Sequence, residues 1–114
     1  MNTVEFIQKS EANLVIRFGE RDLTGYSLKL IAKKLNDIST NNLKAVLNID
    51  YILDATNFID GVAYLKIPAT SDIPAQSTDI EAGQYNFQIE ISTRDFREAF
   101  KIVKLQVYSN INKE

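Results

Sequence analysis

Histidine, cysteine and tryptophan are all missing from this sequence. Without histidine, the commonest general base and metal ligand is gone. Without cysteine there is no disulfide framework, no thiol nucleophile and no zinc site of the usual kind, so no redox compartment is implied. Two prolines and four singly scattered glycines leave no Gly-rich loop to cradle a phosphate. No apolar run approaches the roughly 20 residues that span a bilayer. The opening "MNTVEFIQKSEANLVIRF" has neither the basic n-region nor the long apolar h-region of a signal peptide. Charge of one sign is scarce too, with 13 Lys and Arg against 15 Asp and Glu for a net −2. Such a balance argues against nucleic acid or an anionic membrane as the main partner, since both favour a basic surface. The expectation is a protein made and kept in the cytoplasm, or assembled into something there.

What is present is alternation. A chain of 114 residues with 45% apolar and 25% charged side chains can bury one core without staples. Period-two patterning recurs along it. "TVEFIQ" reads as a short first strand with Val4 and Phe6 inward. "NLVIRF" aligns Leu14, Ile16 and Phe18; "YSLKLIAK" aligns Tyr26, Leu28, Leu30 and Ala32, opposite Lys29, Ile31 and Lys33. "AVLNIDY" sets Ala45, Leu47, Ile49 and Tyr51 on one face, and "VAYLKI" sets Ala63, Leu65 and Ile67. The clearest strand is "AGQYNFQIEIS", where Tyr85, Phe87, Ile89 and Ile91 alternate with polar residues. In "AFKIVKLQVY" the apolar set begins on even positions (Phe100, Ile102) and continues on odd ones (Val103, Leu105, Val107). Such a slip predicts a β-bulge near Val103 and Lys104.

Turn residues separate the runs: "GERD" at 19–22, "TNN" at 40–42, Asp60-Gly61, Ala82-Gly83 and "STRD" at 92–95. Asp60-Gly61 is a hairpin signal, because Gly accepts the positive φ of a tight turn. "PATSDIPAQSTDIEAG" at 68–83 is expected to cross between sheets, with room for one helical turn. "LKLIAKKLNDI" also has helical spacing, with Leu28, Ile31, Leu35 and Ile38 on one stripe. Its neighbours are strands and its N-cap is weak, so 26–33 is read as a strand. About seven short strands with closely spaced turns predict one all-β domain over 1–114, an antiparallel sandwich of immunoglobulin type.

Chemistry-bearing clusters are sparse. Asp72, Asp79 and Glu81 share the long loop and offer oxygens to a calcium ion, but their spacing fits no established loop and solvated acids are the simpler reading. Asp50, Asp54 and Asp60 suit turns, and no spacing singles out a pair for glycoside hydrolysis. Lys29, Lys33 and Lys34 are the only basic concentration, read as solubilising and edge-protecting. Tyr85 and Phe87 belong to a core face rather than a stacking platform. No catalytic set, metal site or cofactor is expected. One departure stands out. Val15, Ile31, Val62 and Tyr64 are apolar on faces assigned to solvent, and a contiguous patch of that kind marks an interface unless a loop covers it.

Two stretches carry a resemblance. "RDLTGYSLKLIAKK" at 21–34 resembles the second-strand signature of the immunoglobulin-like domain at the N-terminus of phage baseplate upper proteins, where a D-L-T-G turn leads into an alternating strand. "IDGVAYLKIPATSDIPAQSTDIEAGQYNFQIEIS" at 59–92 is similar to the later half of that domain, and "FREAFKIVKLQV" follows where its final strand lies. The stretch "NNLKAVLNIDYILDATNF" has no counterpart in that plan, and this chain stops at Glu114 where the family domain heads a longer polypeptide. The resemblance implies a non-enzymatic virion protein in the baseplate, tail or neck, or a head decoration. Its partners would be other virion proteins and further copies of itself in a symmetric assembly. It also implies that Asp22 and Thr24 hold the turn around Gly25, that Gly83 allows a sharp start to a strand, and that Tyr85 sits first on that strand's buried face. Two other classes stand beside it: a sugar- or peptide-binding immunoglobulin-like module of a bacterial surface system, and a small carboxylate-based hydrolase.

Overall fold

The computed structural model describes residues 3–39 and 41–110, and among these it contains eight strands and no helix. They are β1 (Thr3–Ile7), β2 (Ala12–Arg17), β3 (Ser27–Lys34), β4 (Leu47–Ile52), β5 (Phe58–Ile59), β6 (Val62–Ile67), β7 (Gly83–Thr93) and β8 (Phe96–Tyr108). Five form one sheet in the order β1-β8-β7-β3-β4, and three form another in the order β2-β6-β5. The two sheets share a single core, as in a β-sandwich. The larger sheet is mixed, because β1 runs parallel to β8 while its other pairs are antiparallel.

Alternation explains which face each strand buries. On β7, Tyr85, Phe87, Ile89 and Ile91 are buried and the residues between them are not. They meet Leu28, Leu30 and Ala32 of β3, Leu47 and Ile49 of β4, and Leu105 and Val107 of β8 in the core. The smaller sheet contributes Ile16, Phe58, Ala63, Leu65 and Ile67. The helical reading of 28–38 loses to strand pairing, because β3 is flanked on both sides, by β4 and β7. A central position satisfies its backbone donors and acceptors completely, which a short exposed helix could not do.

The eighth strand, beyond the seven expected, is the two-residue β5. It exists because Asp60-Gly61 closes a tight hairpin: both residues have positive φ, 53° and 78°, and Ile59 pairs directly with Val62. Positive φ at both central residues is the turn whose twist matches that of its strands.

The expected β-bulge in the last strand is present but earlier than Val103 and Lys104. Ile89 pairs with Lys101 and Glu90 with Ala99, which leaves Phe100 as the extra residue. Phe100 packs against Phe18 of the β2–β3 loop, with ring centroids 4.4 Å apart and planes tilted by 48°, while Ile102 is solvent-exposed. The ladder slips at the residue that meets Phe18, and the even-numbered apolar face ends at Phe100.

The 68–82 segment passes from β6 to β7, and so from the small sheet to the large one, without a helical turn. Its backbone groups bond elsewhere. The Ala75 carbonyl accepts the Asn48 N–H at 2.7 Å, and the Thr78 N–H donates to the Pro68 carbonyl at 2.9 Å. Thr78 is fully buried, and its hydroxyl both donates to the Ser10 carbonyl (2.8 Å) and accepts the Ser10 N–H (3.1 Å). The crossover is thus pinned to the β1–β2 turn. A second tie joins the sheets where the Tyr51 hydroxyl of β4 donates to the Lys66 carbonyl of β6 at 2.8 Å.

Candidate functional site

The outer face of the small sheet follows from its register. Val15 lies directly opposite Tyr64, Arg17 opposite Val62, and Ile59 opposite Val62 on the other side. Ala12, Leu14 and Ile16 turn toward the core, so Asn13, Val15 and Arg17 turn outward; on β6 the outward set is Val62, Tyr64 and Lys66. Val15 is 53% exposed, Tyr64 50% and Ile59 52%, and Val62 is half-buried between them. Directly opposed and i, i+2 neighbours touch across a pleated face, so these four side chains form one continuous apolar patch. Asn13 and Arg17 rim it on β2, and Lys66 rims it on β6, paired with Glu11 at 2.9 Å.

Ile31 does not belong to this surface. It lies on β3 in the other sheet and is only 4% exposed. Its side chain points to the outer face, as alternation requires, but the β3–β4 loop covers it. Lys33 Nζ donates to the carbonyls of Ser39 (3.0 Å) and Asn41, and holds that loop against the sheet beside Ile31, Gln88 and Ile102. Ile59 does belong to the patch, and reasoning from runs of alternation missed it because β5 is too short to show a period. The signal was available in the hairpin: a two-residue Asp60-Gly61 turn places Ile59 across from Val62 on the same face.

The residues named for turns lie where the chain changes direction. The Asp22 carboxylate accepts the Thr24 N–H at 3.1 Å and the Thr24 hydroxyl at 2.8 Å, and Gly25 follows with φ +90°. The same arrangement recurs at Asp37 with Ser39 and at Asp54 with Thr56. In each case the hydroxyl and N–H donated by Thr or Ser hold the aspartate below the usual carboxylate range. The Gly25 N–H donates to the Leu53 carbonyl at 2.7 Å, and buried Leu23 anchors the turn to the core. Gly83 opens β7 with φ +148°, and Tyr85 is the first buried residue after it. The Tyr85 hydroxyl donates to the Glu81 carbonyl at 2.5 Å, and burial raises its pKa.

Among the described residues no three of Asp and Glu gather where one metal ion could be held. Asp72, Asp79 and Glu81 of the crossover do not form such a group, and Ile73 is exposed beside Asp72. Lys29 pairs with Asp50 at 3.7 Å, and Lys33 is engaged by loop carbonyls. A groove of about 540 Å³ runs over the outer face of the large sheet, floored by Asn86, Gln88 and Ile102. Of its two carboxylates, Asp37 accepts the Ser39 N–H and hydroxyl, and Glu90 accepts from Gln88 Nε2 at 2.8 Å and from Arg97 Nε at 3.3 Å. Gln88, Glu90 and Arg97 engage one another there, whereas Val15, Ile59 and Tyr64 of the small-sheet patch are each about half-exposed. No protein-family model matches the sequence, and no curated protein matches it either.

Proposed function

We propose that the chain is a non-catalytic structural protein of a tailed-phage particle, an immunoglobulin-like module that acts as adaptor or decoration through protein–protein contacts. One observation carries the reading: the continuous apolar patch of Val15, Tyr64, Val62 and Ile59 on an otherwise polar sheet face. Patches of that kind on a small domain mark interaction surfaces. The strand order supports the immunoglobulin-like part. The order β2-β6-β5 corresponds to B-E-D, and β8-β7-β3-β4 corresponds to G-F-C-C′. The D-L-T-G turn and the "AGQYNFQIEIS" strand, on which the resemblance to phage baseplate proteins rests, support the particle context.

In this reading the large sheet and the turns are scaffold, and the small sheet is the working face. Side chains already held in strand rotamers lose little further freedom on docking, so the apolar area they bury is offset by little entropy. The other virion proteins and repeated copies around a symmetry axis are the partners. The test is immunogold microscopy of particles from the source, with antibody to the purified chain, beside a Tyr64→Asp variant. Label on virions, with a folded Tyr64→Asp protein that fails to incorporate, is the expected result. Label confined to cell envelopes would overturn it in favour of the surface-module reading.

A further inference from the structure

The small sheet has an unfinished edge. Phe18 donates its N–H to the Gly61 carbonyl at 2.7 Å, which sets the phase of the β2–β6 ladder. In an antiparallel pair the bonded positions alternate, so the even residues of β2 bond to β6. The Tyr64 N–H agrees: it points away from β2 and donates to the Asn57 carbonyl at 2.7 Å. Asn13, Val15 and Arg17 therefore turn their N–H and C=O groups to the outside, where no strand lies beside them among the described residues. The two edges of the large sheet are blunted. On β4 the Asn48 N–H is taken by Ala75, and the Ile52 carbonyl by the Asn57 side chain. On β1 the Ile7 carbonyl is taken by Ser10. The edge of β2 has neither lysine, proline nor bulge, and Arg17 at its end is its one charged residue.

We infer that this edge pairs with the same edge of a second copy, antiparallel, about a twofold axis through Val15. The inference rests on the assembly reading above and names one partner of that surface. Self-complementarity selects both the occupant and the register. Centred on Val15, the axis sets Val15 against Val15 and Asn13 against Arg17, each pair exchanging two hydrogen bonds. Leu14 then faces Ile16 on the inner side. Every open group of the three residues is satisfied, and no like charges meet. An axis through Arg17 would oppose Arg17 to itself, which is destabilising across a sheet. An axis through Leu14 would set Val15 against Asn13 and break the apolar row, and Glu11, then opposite Arg17, is already held by Lys66. In the Val15 register the row Tyr64–Val15 continues unbroken into Val15–Tyr64 of the second copy. The cleft flanking β2, about 330 Å³ between Val15, Val4, Phe100 and Val103 with Arg17 and Lys101 also lining it, is roofed by the incoming strand.

The chain has no cysteine, so single-cysteine trapping reads the register directly. Val15→Cys is expected to oxidise to a covalent dimer of twice 12.9 kDa, since directly opposed strand residues lie within disulfide reach. Tyr64→Cys, equally exposed but one strand inward, is expected to remain monomeric. Asn13→Cys alone should not cross-link, but should do so when mixed with Arg17→Cys. In analytical ultracentrifugation the native chain should show a monomer–dimer equilibrium that Val15→Lys abolishes, while the variant keeps the native far-UV circular dichroism and a melting temperature that no longer depends on concentration. A native chain that sediments as monomer throughout, with Val15→Cys no more cross-linked than Tyr64→Cys, overturns the inference. Incorporation into particles separates the two claims. A monomer that still assembles through Tyr64 keeps the assembly reading and loses edge pairing; a trapped dimer never found in particles does the reverse.

Discussion

Replacing Gly61 with alanine is expected to destabilise the fold by about 2–5 kcal/mol, well beyond the cost at another positive-φ glycine. Gly61 has φ +78°, and a β-carbon built on it would overlap the Gly19 carbonyl oxygen. The left-handed conformation alone costs a non-glycine residue about 1–2 kcal/mol. Displacing a backbone carbonyl adds roughly 1–3 kcal/mol, the range for overpacking a tight site. The hydrogen bond from the Phe18 N–H to the Gly61 carbonyl, 2.7 Å long, is strained by the same shift, at about 1 kcal/mol. Against this, the stiffer unfolded chain returns about 0.4–1 kcal/mol. Gly25 is the control, with φ +90° but no atom within 4 Å of a built β-carbon. Gly25→Ala should cost only about 1 kcal/mol, the backbone share less the unfolded-state gain. Urea denaturation followed by far-UV circular dichroism suits a chain without tryptophan. With an m-value of about 1.5 kcal/mol/M, Gly61→Ala should lower the midpoint by roughly 1–3 M. Asparagine tolerates positive φ, so it should rescue position 25 and fail at 61. Equal losses for the two alanine variants would refute the close approach of the Gly61 and Gly19 turns.

Thr78→Val should cost about 0.5–1.5 kcal/mol, because the partly buried Ser10 carbonyl loses its donor while the Ser10 N–H keeps the Ile7 carbonyl; Thr78→Ser should retain most of the stability in the same urea assay. Burial pushes the Tyr51 phenol up to about 12, above its ordinary value near 10. A raised acid favours the folded state while protonated, so this contribution is complete below pH 10 and is lost as pH rises from 10 toward 12. Tyr51→Phe should flatten that limb of the melting-temperature profile, and a loss unchanged by the substitution would sink the assignment. At the acid end, Asp22, Asp37 and Asp54 are held low by Ser and Thr donors, so their contribution is present above pH 4 and falls away below it. Thr24→Val and Thr56→Val should each move the matching aspartate's carboxyl-carbon NMR midpoint up toward the value of a free aspartate.

Much of this architecture could be read in the chain because its causes are local. Alternation over six or more residues selects a buried face without reference to any partner, as β7 does with Tyr85, Phe87, Ile89 and Ile91. Asp60-Gly61 specifies its own turn, and Asp-x-Thr or Asp-x-Ser closes on itself at three places. Three of the four outward apolar residues, Val15, Val62 and Tyr64, followed from the same period. Ile31 failed because alternation tells which face a residue takes, not whether a later loop covers it. That cover comes from Lys33 reaching residues six and eight positions onward. Ile59 failed because two residues make no period.

The sequence by itself determined the all-β class, the inner and outer faces, the positions of the turns, and the want of histidine and cysteine chemistry. Each is a property of neighbours within a few residues, where sterics and hydrogen bonding act without knowledge of the rest of the chain. Tertiary structure alone decided that β1 pairs parallel with β8, that Phe100 rather than Val103 breaks the last ladder, and that Thr78 joins the crossover to Ser10. Those depend on residues 68 to about 100 positions apart. Their pairing is settled by which arrangement fills one core and satisfies every buried donor at once.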